Sequence, residues 1–114
     1  MKKTKRPSDL DYIQTNRANW DERVDIHLRD DAGFYRVEAF LNGEDVRPDI
    51  DRKEMHEFAG IDVLHLQCHF GLDTLSVARQ AKSVVGVDFS PKAITAACDL
   101  AKRVGLVDRA EFVL

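Results

Sequence analysis

Residues 61–91, IDVLHLQCHFGLDTLSVARQAKSVVGVDFSP, constrain the fold more than any other part of the chain. Val63, Leu64 and Leu66 make a short apolar run with little polar alternation, the pattern of a strand buried on both faces. Residues 67–71 then turn into a helix that starts near Leu72. Residues 83–87 form a second apolar strand, and Asp88 stands at its end. The result is a β-α-β unit, which presents a helix N-terminus and a carboxylate to a nucleotide-like ligand.

The other elements follow from local signals. Pro7 and Ser8 precede Asp9, so a helix can begin there. Tyr12, Ile13, Trp20, Val24 and Leu28 recur at loosely helical spacing, which allows a break near Thr15 or Asn16. Residues 30–33 make a turn. Residues 34–41 predict a short helix with Phe34, Val37 and Leu41 on one side, ended by Asn42 and Gly43. After a loop containing Pro48, Asp51 can cap another short helix, with Glu54 completing a capping-box-like pair. Ala59 and Gly60 would close it. Beyond Asp88, Ser90 is a good N-cap and Pro91 suits the first helical position. Ile94, Ala97, Cys98, Ala101 and Val104 supply the buried stripe, Gly105 ends the helix, and residues 110–114 read as a third strand.

The predicted class is therefore α/β: the N-terminal half of a Rossmann-like doubly wound parallel sheet, order 3-2-1, behind a helical preface. Residues 1–8 are expected to be a disordered basic tail, 9–60 a helical preface or lid, and 61–114 a partial cofactor-binding domain cut after its third strand. The first strand would be left as an apolar edge. Either the polypeptide is a fragment, or that edge is covered by the preface or by another chain through self-association.

A chain of 114 residues with net charge -3 supports one modest core and offers no basic stripe beyond Lys2, Lys3, Lys5 and Arg6. Nucleic-acid binding is not expected. No apolar run is long enough to span a membrane, and no signal peptide stands out. Cys68 and Cys98 are then expected as free thiols in a reducing, cytoplasmic setting.

Gly71 and Asp88 are the leading candidates for chemistry. A glycine there permits close backbone approach, and a carboxylate at the second strand's end can accept both hydrogen bonds of a ribose diol. The alternatives are an ordinary strand-to-helix turn and a helix-capping aspartate. His65, Cys68 and His69 lack a second ligand cluster, so no metal site is expected. Cys68 lacks a nameable base and orienting partner for nucleophilic catalysis. Tyr12, Asn16, Arg17, Trp20 and Arg23 suit either a helix docking through Trp20 or a lid over the pocket.

These residues resemble the first part of class I S-adenosylmethionine-dependent methyltransferases. The strand and loop VLHLQCHFG sit where that family shows an acidic residue and three spaced glycines. His65 takes the acidic place, Gln67 and His69 the first two glycine places, and only Gly71 is kept. GVDFSPKAI is more typical, and the glycine-poor loop together with NRANW is similar to a bacterial subset of unassigned substrate. The resemblance implies that Gln67, Cys68, His69 and Gly71 hold the methionine end of S-adenosylmethionine. It implies Asp88 at the ribose, Phe89 beside the adenine, Ser90 among the cofactor-binding residues, and Tyr12 or Trp20 closing over the site. Bulky Gln67 and His69 would narrow the approach, although His69 can donate to the methionine carboxylate. The family's adenine-reading position after the third strand and its acceptor-shaping residues have no counterpart up to Leu114. No catalytic residue is carried over, and little turnover is expected of the isolated chain. Methyl transfer to a small molecule is the expected activity; a dinucleotide-binding or non-catalytic Rossmann-like domain is the alternative.

Overall fold

The structure, a computed structural model, describes Arg6 and residues 8–114. Most of the expected basic tail, including Lys2, Lys3 and Lys5, lies outside the described residues. In chain order the elements are α1 (Asp9–Arg29), α2 (Val37–Leu41), α3 (Asp49–Glu54), β1 (Asp62–Leu66), α4 (Leu72–Ala78), β2 (Ser83–Val87), α5 (Pro91–Arg103) and β3 (Ala110–Val113). Among the described residues, no helix is long and apolar enough to cross a membrane.

The three strands form one parallel sheet with β2 in the centre, the order expected from right-handed crossovers. His65 pairs with Gly86 and Gly86 with Phe112; one residue on, Leu66 pairs with Val87 and Val87 with Val113. Successive side chains point to opposite faces, so the register separates two sets. Val84 and Ala110 lie on the face covered by α4 and α5 and are buried. Leu64 and Leu66 lie on the other face and remain 63% and 64% exposed. The expectation that β1 is buried on both faces fails: its apolar run fits a two-sided strand, but only one face is covered among the described residues. The preface does not cover β1 either, because α1 packs on α5 and α2 on α4.

The core joins Phe70, Leu72, Leu75 and Ala78 of the loop and α4 to Val84, Leu100, Ala101 and Ala110. On α5 the buried residues are Ala93, Ala97, Leu100 and Ala101, so the stripe lies slightly to one side of the one read from the sequence. Alanines there let the helix approach the sheet closely. Ser90 caps α5 as expected, its hydroxyl accepting the Ala93 N–H at 3.1 Å, with Pro91 in the first turn.

The preface departs from expectation in three ways. First, α1 is one unbroken helix, closed by a Ser8–Asp11 capping box. Second, α2 begins at Val37 rather than Phe34, because the Asp30 carboxylate accepts the backbone N–H groups of Tyr35 (2.8 Å) and Val37 (3.1 Å). Those bonds hold the preceding residues in a turn, and Arg36 enters the helix in a left-handed conformation. The anchor of α2 is fully buried Phe40, under the Arg79 guanidinium 4.3 Å from its ring centre, while Phe34 is 80% exposed. Third, α3 runs from Asp49 after Pro48 with no side-chain cap, so Asp51 and Glu54 sit inside the helix. It ends at Glu54, well before Ala59 and Gly60.

Gly71 and Gly86 are both required by Phe112. A Cβ at Gly71 would come within 2.8 Å of the Phe112 ring, and one at Gly86 also within 2.8 Å. Gly71 is additionally left-handed, with φ +84°. Gly71→Ala is therefore expected to cost about 2 kcal/mol or more, combining dihedral strain with overpacking. Urea unfolding would measure it, and an unchanged midpoint would show that the Phe112 ring moves aside freely.

Candidate functional site

The segment between β1 and α4 keeps a glycine-like path without glycines at two of its three turning points. Gln67, His69 and Gly71 all have positive φ, at 56°, 53° and 84°. The left-handed conformation costs a non-glycine residue about 1–2 kcal/mol, so the first two positions are strained. The loop is held by bonds that over-determine it. The Cys68 N–H donates to the Val87 carbonyl and the Gly71 N–H to the Cys68 carbonyl, both at 3.0 Å. The decisive contact is Asp88: one carboxylate oxygen accepts the His69 N–H at 2.9 Å and the other the Ser90 N–H at 2.9 Å. One side chain thus ties the loop to the start of α5.

A cavity of about 700 Å³ opens outside the carboxyl ends of β1 and β2. Gln67, His69, Asp88 and Phe89 line it from the sheet side, and Asn16 and Trp20 from α1. Its volume suits a small-molecule ligand. α1 is fixed there by Asp21, which accepts from the Ser90 hydroxyl and from the Lys92 N–H (3.3 Å) at the N-terminus of α5. A carboxylate at that end is favoured by the helix dipole. Trp20 lies edge-on to His69, ring centres 5.5 Å apart.

The structure therefore brings Trp20, Gln67, His69, Asp88 and Phe89 around one space. It places four other candidates elsewhere. Tyr12 is on the exposed first half of α1, outside that lining. Ser90 is fully buried in its capping role. Gly71 packs under Phe112. Cys68 is buried, with its sulfur towards Gly86. Burial, and then the nearby Asp88 charge, push the Cys68 thiol up to about 12, so it is a poor nucleophile. The three residues weighed as metal ligands diverge in their contacts: His65 Nδ1 meets the Thr74 hydroxyl at 2.6 Å, whereas His69 Nε2 meets His27 Nδ1 at 2.9 Å.

That last contact is one that the sequence reading missed. His27 Nδ1 also meets the Tyr35 hydroxyl at 3.1 Å, so three elements converge on one ring nitrogen. His27 stands in the last turn of a helix, where a basic residue needs no special reason. Only the fold makes it a partner of residue 69. Burial is the main cause that lowers the His69 pKa to about 4; His27 lowers it further and Asp88 opposes.

His69 is consequently favoured neutral in the folded chain. The stability this contributes is present above its ordinary value of 6.5 and is lost as pH falls towards about 4. His69→Asn, which tolerates the left-handed backbone and does not titrate, should flatten the fall in unfolding free energy over that window. An equal fall in both proteins, followed by urea titration at each pH, would remove His69 as its cause.

No family model matches the sequence, and no curated relative matches it. Solved structures share its fold. Phosphoethanolamine N-methyltransferase 1 of Haemonchus contortus, in complex with phosphoethanolamine and S-adenosylhomocysteine, aligns with TM-score 0.67 and 18% identity over 95% of this chain and 22% of its own. DhpI, in a complex with SAM and HEP, aligns with TM-score 0.55 and 26% identity over 89% of this chain and 41% of its own. The [4+2]-cyclase SpnF aligns with TM-score 0.52 and 29% identity over 57% of this chain and 24% of its own. The chain thus spans less than half the length of each of these proteins, and what it shares with them is a partial Rossmann-like fold found in methyltransferases.

Proposed function

We propose that the chain binds S-adenosylmethionine in the cavity beside Asp88 and serves methyl transfer to a small molecule. The observation that carries this is Asp88 itself. It sits at the carboxyl end of β2, its two oxygens each hold one backbone N–H, and it borders the cavity next to Phe89. Each carboxylate oxygen has a further acceptor site, so the pair can also take a ribose diol. The aromatic faces of Trp20 and Phe89 suit a planar base. Gln67 and His69 retain the left-handed path that brings the loop backbone round the cavity. The residues present therefore fit the group. Complexes of DhpI with SAM and of the H. contortus enzyme with S-adenosylhomocysteine, on the same fold, support this reading.

When bound, the sulfonium supplies an already activated methyl group, so the protein's task is alignment and exclusion of water. Trp20 and Asn16 close the cavity from α1. Neutral His69 presents a ring that adds no positive charge beside a cationic ligand. A small molecule is favoured as acceptor because the chain is net acidic, at -3, and its sequence has no sustained basic stripe beyond Lys2, Lys3, Lys5 and Arg6.

The likeness to a [4+2]-cyclase favours a second reading, in which the fold is a scaffold for other chemistry. Calorimetry separates the two. S-adenosylmethionine and S-adenosylhomocysteine are expected to bind and NAD is not; binding of NAD alone sinks the methyltransferase reading, and no binding by the folded chain favours the scaffold. Asp88→Ala should weaken S-adenosylmethionine by about 1–3 kcal/mol. Because Asp88 also anchors the loop, Asp88→Asn, which keeps one carbonyl acceptor, is the control. Full affinity in both variants would take Asp88 out of the site.

A further inference from the structure

A second cavity, of about 530 Å³, lies on the other side of the loop. Gln67 and His69 line both cavities and form the wall between them. The second space is walled by Phe34 and Tyr35 before α2, by His65 of β1 and by Asp73 in α4. Three arginines also line it, but each already has an acidic partner. Arg36 pairs with Glu44 at 2.7 Å, and Arg52 pairs with Asp49. Arg47 is 5% exposed; its Nε and Nη2 donate to Asp45, and its Nη1 donates to the Met55 carbonyl at 2.8 Å.

Asp73 differs from Asp49, the other acid that lines this cavity. Among the described residues its carboxylate takes part in no hydrogen bond or ion pair, although it is only half exposed to water. Burial raises its pKa, and Asp51 and Asp45 add to the rise while His65 and Arg47 oppose it. A desolvated carboxylate without a partner is costly unless something else uses it. With the arginines paired to Glu44, Asp45 and Asp49, Asp73, in the first turn of α4, is the acid lining the cavity that has no side-chain partner among the described residues. The aromatic rings of Tyr35 and Phe34 line the same cavity, and such rings attract cations through their faces.

We propose that this second cavity binds a small organic cation, a protonated amine on an apolar or aryl body, with its ammonium on Asp73. As an amine site the cavity stands on its own residues. Its use for the methyl acceptor rests on the function proposed above, with the methyl going to a lone-pair-bearing atom elsewhere on that body and not to the ammonium nitrogen, which has no lone pair. The shared wall supports that use, because acceptor and cofactor must meet in line at near contact distance. Only a molecule next to Gln67 and His69 can meet one in the Asp88 cavity.

The test uses ¹⁵N-labelled chain titrated with phenethylamine, with uncharged 2-phenylethanol and with phenylacetate. Phenethylamine should shift the amides of His65, Asp73, Thr74 and Tyr35 in a saturable way. The alcohol should bind about tenfold more weakly, the size expected for one charge-assisted contact, and the acid more weakly still. Saturating S-adenosylhomocysteine should leave the amine shifts in place. Asp73→Asn should erase the preference for amine over alcohol, and Asp73→Glu should restore part of it. Equal binding of amine and alcohol by the unaltered chain, or shifts confined to other residues, overturns the proposal without relying on any variant. Displacement of the amine by S-adenosylhomocysteine, or an undiminished preference in a folded Asp73→Asn chain, overturns it too. Failure of S-adenosylhomocysteine to bind at all overturns the cofactor reading and leaves the amine result to be judged alone.

Discussion

The Asp88 carboxylate is the contact on which the arrangement of this site depends. Two segments distant in sequence, the loop after β1 and the start of α5, each aim a backbone N–H at the end of β2. Buried N–H groups must find acceptors, and Asp88 supplies both. Its own N–H is in turn held by the Val113 carbonyl of β3 at 3.2 Å. The ends of β2 and β3 and the loop after β1 therefore all meet at this residue.

This dependence explains how the loop tolerates side chains where glycine would be easier. Left-handed backbone at Gln67 and His69 is strained, and the strain persists because surrounding bonds over-determine the path. The side chains are then free to do something glycine cannot. His69 spans from the cavity wall to His27 and the edge of Trp20, joining the loop to α1. A glycine there would relax the backbone and lose the connection.

Much of the cofactor-side architecture was legible in the sequence because its signals are local. Ser90 and Pro91 mark a helix start through their own local chemistry, and Asp88 follows an apolar run of strand length. The expected strand order was that of the sheet, since right-handed crossovers leave little choice. The preface was read less well because its determinants act across space. Asp30 delays α2 by capturing two N–H groups several residues ahead. Phe40 rather than Phe34 is the anchor because it joins the core formed with Phe70 and Leu75 from later in the chain, with Arg79 over its ring. Asp51 looked like a cap although Pro48 had already begun the helix. At the site, Asp88, Phe89, Gln67, His69 and Trp20 were brought together, whereas His27 and Asp73 carry no mark in the sequence beyond ordinary helix-end charges. Tyr12 shares its aromatic character with Trp20, but it sits two turns earlier on α1 and does not line the cavity.

Phe112 gives the fold a further property. Its ring lies against the bare backbone of Gly71 and Gly86 at once, so β3 forms the floor beneath the loop. β3 is short and is an edge strand, the kind of element that opens most readily by local fluctuation. Whenever it detaches, Gly71 loses its packing and Asp88 loses the Val113 carbonyl in the same event. Strand and loop are thus expected to exchange their amides together, and a ligand seated above the loop to slow exchange in a strand it never touches.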